Sequence, residues 1–339
     1  MTETEKLFNY RSGDVAKLLG ISKSKVLDLV TKDKLKYEEQ TEGQQYVFRP
    51  KNIEAYLKTL REKGKTEVRI ISLLNIKGGV GKSSLVIFLA TILRKMGFSV
   101  LVVDIDKQCN VTEFILGDKA PTSKQPYIKN IFRQDDLSIE EIIYRGRDGL
   151  DIIPANINLA RIETVDLGDF TLFDDYVKEN LLHKYDYVLI DNPTSLNDMV
   201  KAVLISTDYV IPAVIPARWS LDGFDFLEET INTLNRQYKM RRETMILGTI
   251  CNMLTVKKSR KHMKKNEQAL MMLKDSGEVP YDFETAVPNT TSYAQVIENE
   301  ESILEANIET KYKKILVDLA FEIIERIHDI EKELRKKPA

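Results

Sequence analysis

Cysteine and long apolar runs are scarce in this sequence, and these two scarcities exclude classes of protein. The 339 residues include two cysteines, three histidines and one tryptophan. Cys109 and Cys251 have no metal-ligand spacing, which favours a reducing compartment. No apolar run approaches the ~18 residues of a membrane-spanning helix, and the opening segment MTETEKLFNY has no apolar signal region. We therefore expect a cytoplasmic protein without a membrane partner.

The length and the charge distribution indicate more than one domain. A chain of 339 residues exceeds the ~250–300 residues at which a single core stops growing. The first 66 residues carry 14 Lys and Arg against 10 Asp and Glu, whereas the whole chain has a net charge of -2. This modest basic excess makes the N-terminal segment the first place to look for a nucleic-acid contact.

The pattern of polar and apolar residues changes near residue 62 and divides the chain into two parts. Residues 11–61 are polar and helical in pattern, and residues 62–67 are charged and free of apolar side chains, which is typical of a linker. From Val68 onward, apolar runs such as VRIISLLN, SVLVVDID and YDYVLIDNP alternate with helical patterns. Fully apolar strands between helices predict a doubly wound, mostly parallel α/β sheet over residues 68–339, preceded by a small domain over residues 1–61.

The stretch Ser12–Val30 has the pattern of a helix-turn-helix. Gly20 permits the backbone conformation of the turn, and Ser22 is suited to cap the second helix. The second helix then presents three polar side chains that are able to reach phosphates and base edges, namely Lys23, Ser24 and Lys25. A small helical interaction module with solvated lysines is the alternative interpretation.

The residues after this motif predict a β-hairpin and a further helix. The hairpin turns near Glu42–Gly43, and Arg49 follows its second strand. The whole segment resembles the winged-helix DNA-binding domains of MerR-like regulators. The resemblance implies that Arg49 lies in or beside the wing and contacts DNA.

The segment NIKGGVGKSS predicts a phosphate-binding loop. It follows an apolar strand and opens a helix, and it satisfies the second half of the Gly-x-x-x-x-Gly-Lys-Ser/Thr pattern. Backbone N–H groups of such a loop point at phosphates, a lysine reaches the β- and γ-phosphates, and a hydroxyl joins the Mg²⁺ shell. The expected binding residues are Lys77, Gly78, Gly79, Val80, Gly81, Lys82, Ser83 and Ser84, with Ser83 at the metal.

A second lysine in this loop needs a separate explanation. Ile76 stands where the first glycine of the pattern belongs, and Lys77 follows it. Lys82 already serves the nucleotide of its own chain, so Lys77 is most useful if it reaches a different nucleotide. The segment KGGVGKSS resembles the deviant Walker A motif. That resemblance implies that Lys77 crosses a dimer interface and contacts the partner's ATP.

The segment VLVVDIDKQCNVT resembles the second signature of the ParA-type partition ATPases. Asp104 and Asp106 lie two residues apart on a strand end and therefore share one face. The resemblance implies that Asp106 orients the attacking water and that Asp104 supports it. Lys107 replaces the usual proline and Cys109 the usual glycine at this loop.

Later segments extend the resemblance to the rest of the chain. YDYVLIDNPTSLN resembles the Walker B segment, which implies that Asp191 reaches the Mg²⁺ through a water molecule. Asn192 and Thr194 depart from the family's usual residues there. By position, the resemblance implies that Asn252 contacts the adenine. It also implies a base pocket lined by Pro280 and Tyr281.

A basic cluster marks a candidate for a second DNA contact. Residues 256–265 read VKKSRKHMKK, with six cations and no acid. Partition ATPases bind DNA without sequence preference when dimeric and ATP-loaded, and phosphate neutralisation alone suffices for such binding. A solvated helix start is the alternative interpretation. The candidate residues are Lys257, Lys258, Arg260, Lys261, Lys264 and Lys265.

The resemblance to ParA-type proteins implies an ATPase of DNA segregation. It implies ATP and Mg²⁺ as cofactors, a homodimer that sandwiches ATP, and slow hydrolysis stimulated by DNA and a centromere-binding partner protein. The N-terminal domain is expected to bind an operator and repress the protein's own operon, and the ATP-bound dimer to associate with the nucleoid. Two alternatives remain: a nucleotide-sensing transcriptional regulator with little hydrolysis, and a MinD-like positioning ATPase.

Overall fold

The computed structural model describes most of the chain and both predicted domains. The described residues are 2–41, 45–75, 78–122, 124–132, 135, 137–161, 170–215, 224–253 and 282–336. In these ranges we label helices and strands in chain order. The larger domain contains the candidate functional site, and the smaller domain packs against the larger domain.

The N-terminal domain contains four helices and a three-stranded antiparallel sheet. The strands lie in the order β1-β3-β2. The pairing of β2 with β3 agrees with the predicted hairpin, whose turn near Glu42–Gly43 lies outside the described residues, and the pairing of β1 with β3 was not predicted. The elements are α1 Glu3–Lys6, β1 Tyr10–Arg11, α2 Ser12–Leu19, α3 Lys23–Thr31, β2 Glu39–Gln40, β3 Tyr46–Phe48 and α4 Pro50–Glu62.

Local backbone chemistry explains the turn between α2 and α3. Gly20 ends α2 with φ of 62°, in the left-handed region that glycine favours. Ser22 caps α3, since its hydroxyl accepts a hydrogen bond from the Lys25 N–H at 3.2 Å. Both features confirm the helix-turn-helix prediction.

Within the described residues, the larger domain is built on an eight-stranded sheet. Its main path runs in the order β10-β9-β4-β8-β5-β7-β6, and β11 also pairs with β9. All pairs are parallel except β6 with β7. The strands are β4 Arg69–Leu74, β5 Val100–Asp104, β6 Tyr144–Arg145, β7 Asp151–Ile153, β8 Tyr187–Asp191, β9 Tyr209–Val214, β10 Met245–Ile246 and β11 Ile250–Cys251.

Helices connect these strands and cover both faces of the sheet. The described helices are α5 Lys82–Lys95, α6 Asn110–Leu116, α7 Lys129–Phe132, α8 Ile139–Ile142, α9 Leu172–Asn180, α10 Asp198–Ser206, α11 Phe224–Gln237, a helix at Thr291–Glu298 and a C-terminal helix at Thr310–Leu334. Short 3₁₀ turns lie at Gly117–Lys119, Arg147–Gly149 and Ile157–Arg161. The α/β prediction is confirmed.

Alternate residues along each central strand enter two different cores. Ile71, Val102 and Leu189 pack with α5 and the C-terminal helix, in the same cluster as the apolar side chains of the N-terminal domain. Their neighbours Ile70 and Leu101 pack on the opposite face with α9, α10 and α11. Successive strand side chains point to opposite faces, so a sheet covered on both sides has the fully apolar strands that the sequence shows.

An ionic network joins the start of β4 to the C-terminal helix. The Arg69 guanidinium donates two hydrogen bonds of 2.9 Å to the Glu331 carboxylate, which also lies 3.3 Å from Arg242. Glu331 is buried, and these neighbouring guanidinium groups hold its pKa below the usual value against the effect of burial. The network therefore depends on a carboxylate at this position.

Replacing Glu331 with Ala should destabilise the protein by about 3 kcal/mol, because the Arg69 charge is left buried without its bidentate partner. The shift in the midpoint of urea unfolding measures this loss. Glu333→Ala, an exposed position on the same helix, is the matched control and should change stability by less than about 0.5 kcal/mol. Equal shifts for the two variants would contradict the role of the network.

Candidate nucleotide-binding site

Three adjacent strands end at the candidate site. In the sheet β8 lies between β4 and β5, and Asp191 is in register with both Asp104 and Leu73. The loop that follows β4 leads into α5. Because the carboxyl ends of parallel strands meet at one edge, two carboxylates and a glycine-rich loop are brought together there.

The backbone of the loop after β4 requires glycine at two positions. Gly79 and Gly81 have φ of 75° and 79°. A Cβ on Gly81 would also lie 2.5 Å from the Asn252 side-chain nitrogen, so no larger residue fits without a shift. α5 begins at Lys82, directly after this turn. The loop thus brings backbone N–H groups and a helix N-terminus together, an arrangement that suits phosphate. Ile76 and Lys77 lie outside the described residues.

Ser83 and Asp191 form the part of the site that fits a magnesium ion. The Ser83 hydroxyl donates a hydrogen bond of 2.7 Å to Asp191 Oδ2. Asp191 is fully buried, and its Oδ1 has no hydrogen-bond partner among the described residues. An unsatisfied buried carboxylate oxygen beside a hydroxyl is a suitable acceptor for the water shell of Mg²⁺. The predicted residues therefore fit the ion.

The charges at this edge of the sheet are imbalanced. Burial raises the pKa of Asp191 well above its usual value, and the neighbouring Asp104 carboxylate raises it further. Burial likewise raises the pKa of Asp104 to about 7. Burial lowers the pKa of Lys82, whereas the negative charges of Asp191 and Asp106 act to raise it. A divalent cation would relieve the repulsion between the buried carboxylates.

A cavity of about 510 Å³ lies over the loop. Lys82, Ser83 and Asp106 line it together with Gln108 and Thr194. Lys82 and Asp106, which are predicted catalytic residues, therefore line the same cavity as Ser83, the predicted metal ligand.

Asp104 lies behind the cavity wall and accepts hydrogen bonds from neighbouring residues. It is fully buried, and its Oδ1 accepts the N–H of Asp106 at 3.0 Å. Its Oδ2 accepts both the backbone N–H of Thr112, at 2.9 Å, and the Thr112 hydroxyl, at 2.7 Å. These bonds hold the loop that carries Asp106. We did not predict Thr112 from the sequence, although the Asn-x-Thr spacing was visible there.

Two of the residues that depart from the usual pattern in these segments, Cys109 and Asn192, have a defined structural setting. Cys109 adopts φ of 57°, which is the left-handed conformation that a glycine would take at this position. Asn192 is fully buried, and its side-chain amide donates to the carbonyls of Leu73, at 3.1 Å, and Ile190, at 3.3 Å. Asn192 thus braces the ends of β4 and β8 against each other.

A second cavity of about 260 Å³ adjoins the first and shares Gly81 and Ser84 with it. Asn252 is on its wall and donates a hydrogen bond of 2.7 Å to the Val80 carbonyl. Other residues on the wall were not predicted from the sequence: Phe88, Val287, Pro288, Asn289 and Tyr293. The predicted base-pocket residues Pro280 and Tyr281 lie outside the described residues.

The candidate DNA contacts of α3 are accessible. Lys23, Ser24 and Lys25 are exposed in the first turn of the helix. Lys25 lies 3.3 Å from the Asp28 carboxylate, so DNA would compete with an ion pair at that residue. Arg49 lies directly between β3 and α4. The basic cluster at residues 257–265 lies outside the described residues. In the described part of the chain, no helix has the length and apolarity to cross a membrane.

Comparison with known families identifies both parts of the chain. Residues 68–245 match the family model described as an AAA domain, and residues 10–61 match that of a helix-turn-helix domain. The sporulation initiation inhibitor protein Soj of Bacillus subtilis is 32% identical over 189 residues, covering 55% of this chain and 73% of Soj. The chromosome partitioning protein ParA of Caulobacter vibrioides is 25% identical over 267 residues, covering 77% of this chain and 96% of that protein.

Solved structures share the fold of the larger domain. A putative plasmid partition protein of Borrelia burgdorferi, bound to AMPPNP, superposes with a TM-score of 0.61 at 24% identity, covering 78% of this chain and 100% of that one. An ATP complex of a McdA variant from Cyanothece gives a TM-score of 0.64 at 18% identity and covers 76% of this chain and 97% of that one. At these identities the likeness concerns the fold.

Asn252→Ala should weaken nucleotide binding roughly 10-fold, because the buried Val80 carbonyl loses its partner at a cost of about 1–3 kcal/mol. Titration calorimetry with ATP and with GTP separates two roles of this residue. If Asn252 braces the loop, both nucleotides lose affinity equally, whereas a contact to adenine makes the loss specific to ATP. Asn232→Ala, on the exposed face of α11, is the control, and unchanged affinity for both nucleotides in Asn252→Ala would contradict both roles.

Proposed function

The chain belongs to the ParA- and Soj-like family of partition ATPases and carries an N-terminal helix-turn-helix domain, and from this premise we propose that it is a DNA-segregation ATPase that works as an ATP-bound dimer. The observation that supports this proposal most directly is the pairing of Ser83 with Asp191 beneath the glycine-rich loop. It provides a metal position beside a phosphate position. The solved relative from Borrelia, whose bound nucleotide is AMPPNP, is consistent with ATP as the ligand.

Each described residue of the site has a distinct task in hydrolysis. The N–H groups of residues 79–83 and the Lys82 ammonium hold the phosphates and offset their charge. Ser83 and, through a water molecule, Asp191 would hold Mg²⁺, which would supply positive charge against the charge that develops on the phosphates. Asp106 is the acceptor that orients the attacking water. Asp104 is a positioning residue, since it fixes the backbone of Asp106.

The dimer is proposed from the loop sequence. A site with its own Lys82 leaves Lys77 available to a second nucleotide, and a cation supplied from a partner chain accelerates phosphoryl transfer in other NTPases by 10³–10⁵-fold. Hydrolysis then occurs only in the dimer. Slow turnover fits a protein whose ATP state acts as a timer, ended by a centromere-binding partner protein.

Lys82→Ala should abolish ATP binding, whereas Lys77→Ala should bind ATP as a monomer but lose ATP-dependent dimerisation. Hydrolysis in Lys77→Ala should fall by roughly 10³-fold, the lower end of the effect of a cation supplied in trans. Calorimetry, size-exclusion chromatography with ATP and phosphate release in the presence of duplex DNA measure these three quantities. Lys95→Ala, at the other end of α5, is the control.

Three outcomes would contradict this assignment. Unchanged ATP affinity in Lys82→Ala would remove the phosphate-binding role of the loop. A Lys77→Ala variant that dimerises on ATP and hydrolyses it at the wild-type rate would remove the role in trans. A wild-type protein that binds ATP and operator DNA without turnover would instead be a nucleotide-sensing regulator.

The protein is proposed to contact DNA in two ways. The N-terminal domain binds an operator through α3 and the wing, where Lys23, Ser24, Lys25 and Arg49 are the candidate contacts, and represses the protein's own operon. The ATP-bound dimer binds any duplex through the basic cluster at residues 257–265 and so associates with the nucleoid. The exposure of the first turn of α3 supports the first contact.

The two DNA-binding activities should separate by mutation and by salt. Lys23→Ala and Lys25→Ala should weaken binding to the operator alone, by ~1–3 kcal/mol where the side chain reads a base edge. Neutralising the 257–265 cluster should weaken binding to any duplex, only with ATP, and reduce the log–log salt slope by about 0.9 for each phosphate that is no longer neutralised. Fluorescence anisotropy on operator and random DNA across a salt series measures both.

Lys58→Ala, an exposed lysine of the same domain on α4, is the control for the operator variants. If operator preference survives deletion of residues 1–61, the DNA-binding role of the N-terminal domain is wrong. If the neutralised cluster still binds random DNA with ATP, the second contact lies elsewhere.

A further inference from the structure

The turn of the helix-turn-helix packs closely on the C-terminal helix of the ATPase domain. The His328 imidazole occupies the space that a Cβ on Gly20 would fill, and its Nε2 lies 3.3 Å from the Leu18 carbonyl oxygen. About one turn earlier on the same helix, the Glu325 carboxylate lies 2.6 Å from the Lys17 ammonium. These contacts set the register in which the two segments lie side by side.

The same register determines which residues lie beyond the turn. Residue number rises together in the two contacting pairs, so both segments advance in the same direction. In the N-terminal domain, the cap Ser22 and the first turn of α3 come next. On the C-terminal helix, the positions four and eight residues after His328 share its face, and they are Lys332 and Lys336.

A groove of about 810 Å³ lies between the amino end of α3 and the end of the C-terminal helix. Ser22 lines one side of this groove, and Lys332, Arg335 and Lys336 line the other. The three cations are exposed, and Arg335 keeps a helical backbone although it follows the last residue of the helix. At 1.5 Å per residue, the cationic stripe extends roughly 12 Å past His328.

The charges on the groove favour an anion at the end nearest α3. Its lining contains five Lys and Arg against three Asp and Glu. Two of the acids are already paired, Glu325 with Lys17 and Glu331 with Arg69. The third acid, Asp329, is exposed and precedes a sequence, KELRKK at residues 332–337, that has four cations and one acid. The open end of the groove is therefore positive.

We propose that the C-terminal helix of the ATPase domain is part of the DNA-binding surface, with Lys332, Arg335 and Lys336 neutralising phosphates of the duplex that α3 reads. The amino end of the second helix of such a motif contacts base edges in the major groove, so the neighbouring backbone passes these cations. A strand has one phosphate per 3.4 Å of helix axis, so a stripe of roughly 12 Å meets about three.

This inference rests on the proposed operator binding by α3, whereas the position of the cations rests on the packing alone. Residues 1–66 carry 14 Lys and Arg against 10 Asp and Glu, and the C-terminal helix adds to that small excess. Contacts to phosphate carry no sequence information directly. The surface belongs to one chain, so it acts without nucleotide, unlike the contact proposed for residues 257–265.

Fluorescence anisotropy without nucleotide, across a salt series, tests the proposal. The probes are a duplex from the promoter region of the protein's own gene and a random duplex of equal length. Lys332→Ala combined with Lys336→Ala should reduce the log–log salt slope on both duplexes by ~1.8, which is ~0.9 for each contact. The ratio of the two affinities should not change, because the lost contacts are to phosphate.

Lys311→Ala combined with Lys314→Ala is the matched control. It removes the same charge from exposed positions at the start of the same helix, far from the groove, and should leave the slope unchanged. Calorimetry with ATP should give the wild-type affinity for both double variants, which verifies that the ATPase domain is folded.

Asp329→Asn provides a test of the opposite sign. This exposed carboxylate lines the groove beside the cations, so its neutralisation should strengthen binding to both duplexes by roughly 2- to 5-fold at low salt, the size of an interaction between exposed charges. A purely structural role of the helix end predicts no such gain. Unchanged or weaker binding in Asp329→Asn would contradict the proposal.

The outcomes separate this inference from the proposed operator binding. If Lys23→Ala weakens binding to the promoter duplex but the slope of the Lys332 and Lys336 double variant equals that of the control, the C-terminal helix does not contact DNA and operator binding stands. If neither variant changes binding, operator recognition by α3 is wrong, and the inference fails with it.

Discussion

The burial of α5 determines where the other parts of the protein lie. Every residue from Leu85 to Leu93 is buried, because the sheet lies on one side of the helix and the C-terminal helix and N-terminal domain lie on others. Its first turn forms the wall of the nucleotide cavity and its last turn receives α4. Protein interiors are densely packed and have low compressibility, so this packing fixes the position of α5 relative to the sheet and to α4.

The chemistry of the site follows from charges placed where water is excluded. Asp104 and Asp191 are fully buried at the ends of adjacent strands, and burial raises the pKa of each. Among the described residues Lys82 is the cation beside them, and burial lowers its pKa. One ammonium does not offset two neighbouring carboxylates. The electrostatics of the described residues thus favour a further cation, and the unpartnered Asp191 Oδ1 indicates where it would act.

Local chemistry made much of this architecture predictable from the sequence. Apolar strands, the glycine-rich loop and the cap at Ser22 each depend on neighbouring residues, and each was found where it was expected. The wall of the second cavity that Pro288 and Tyr293 form was not predicted, because these residues lie about 200 positions after the glycine-rich loop in the sequence. The packing of the N-terminal domain on the larger domain was not predicted either, because it also joins residues that are distant in the sequence. Gly97 follows the end of α5, and its lack of a side chain admits α4, which is a contact that the sequence pattern does not reveal.

The direction of the strands fixes the DNA-binding domain at the opposite edge of the sheet from the nucleotide. Its contacts fall just before strands: Gly97 precedes β5, and Asp186, which pairs with Arg61, precedes β8. The nucleotide residues follow the carboxyl ends of those strands. A single sheet therefore connects the two sites, with the DNA-binding domain at the amino ends of β5 and β8 and the nucleotide residues at their carboxyl ends.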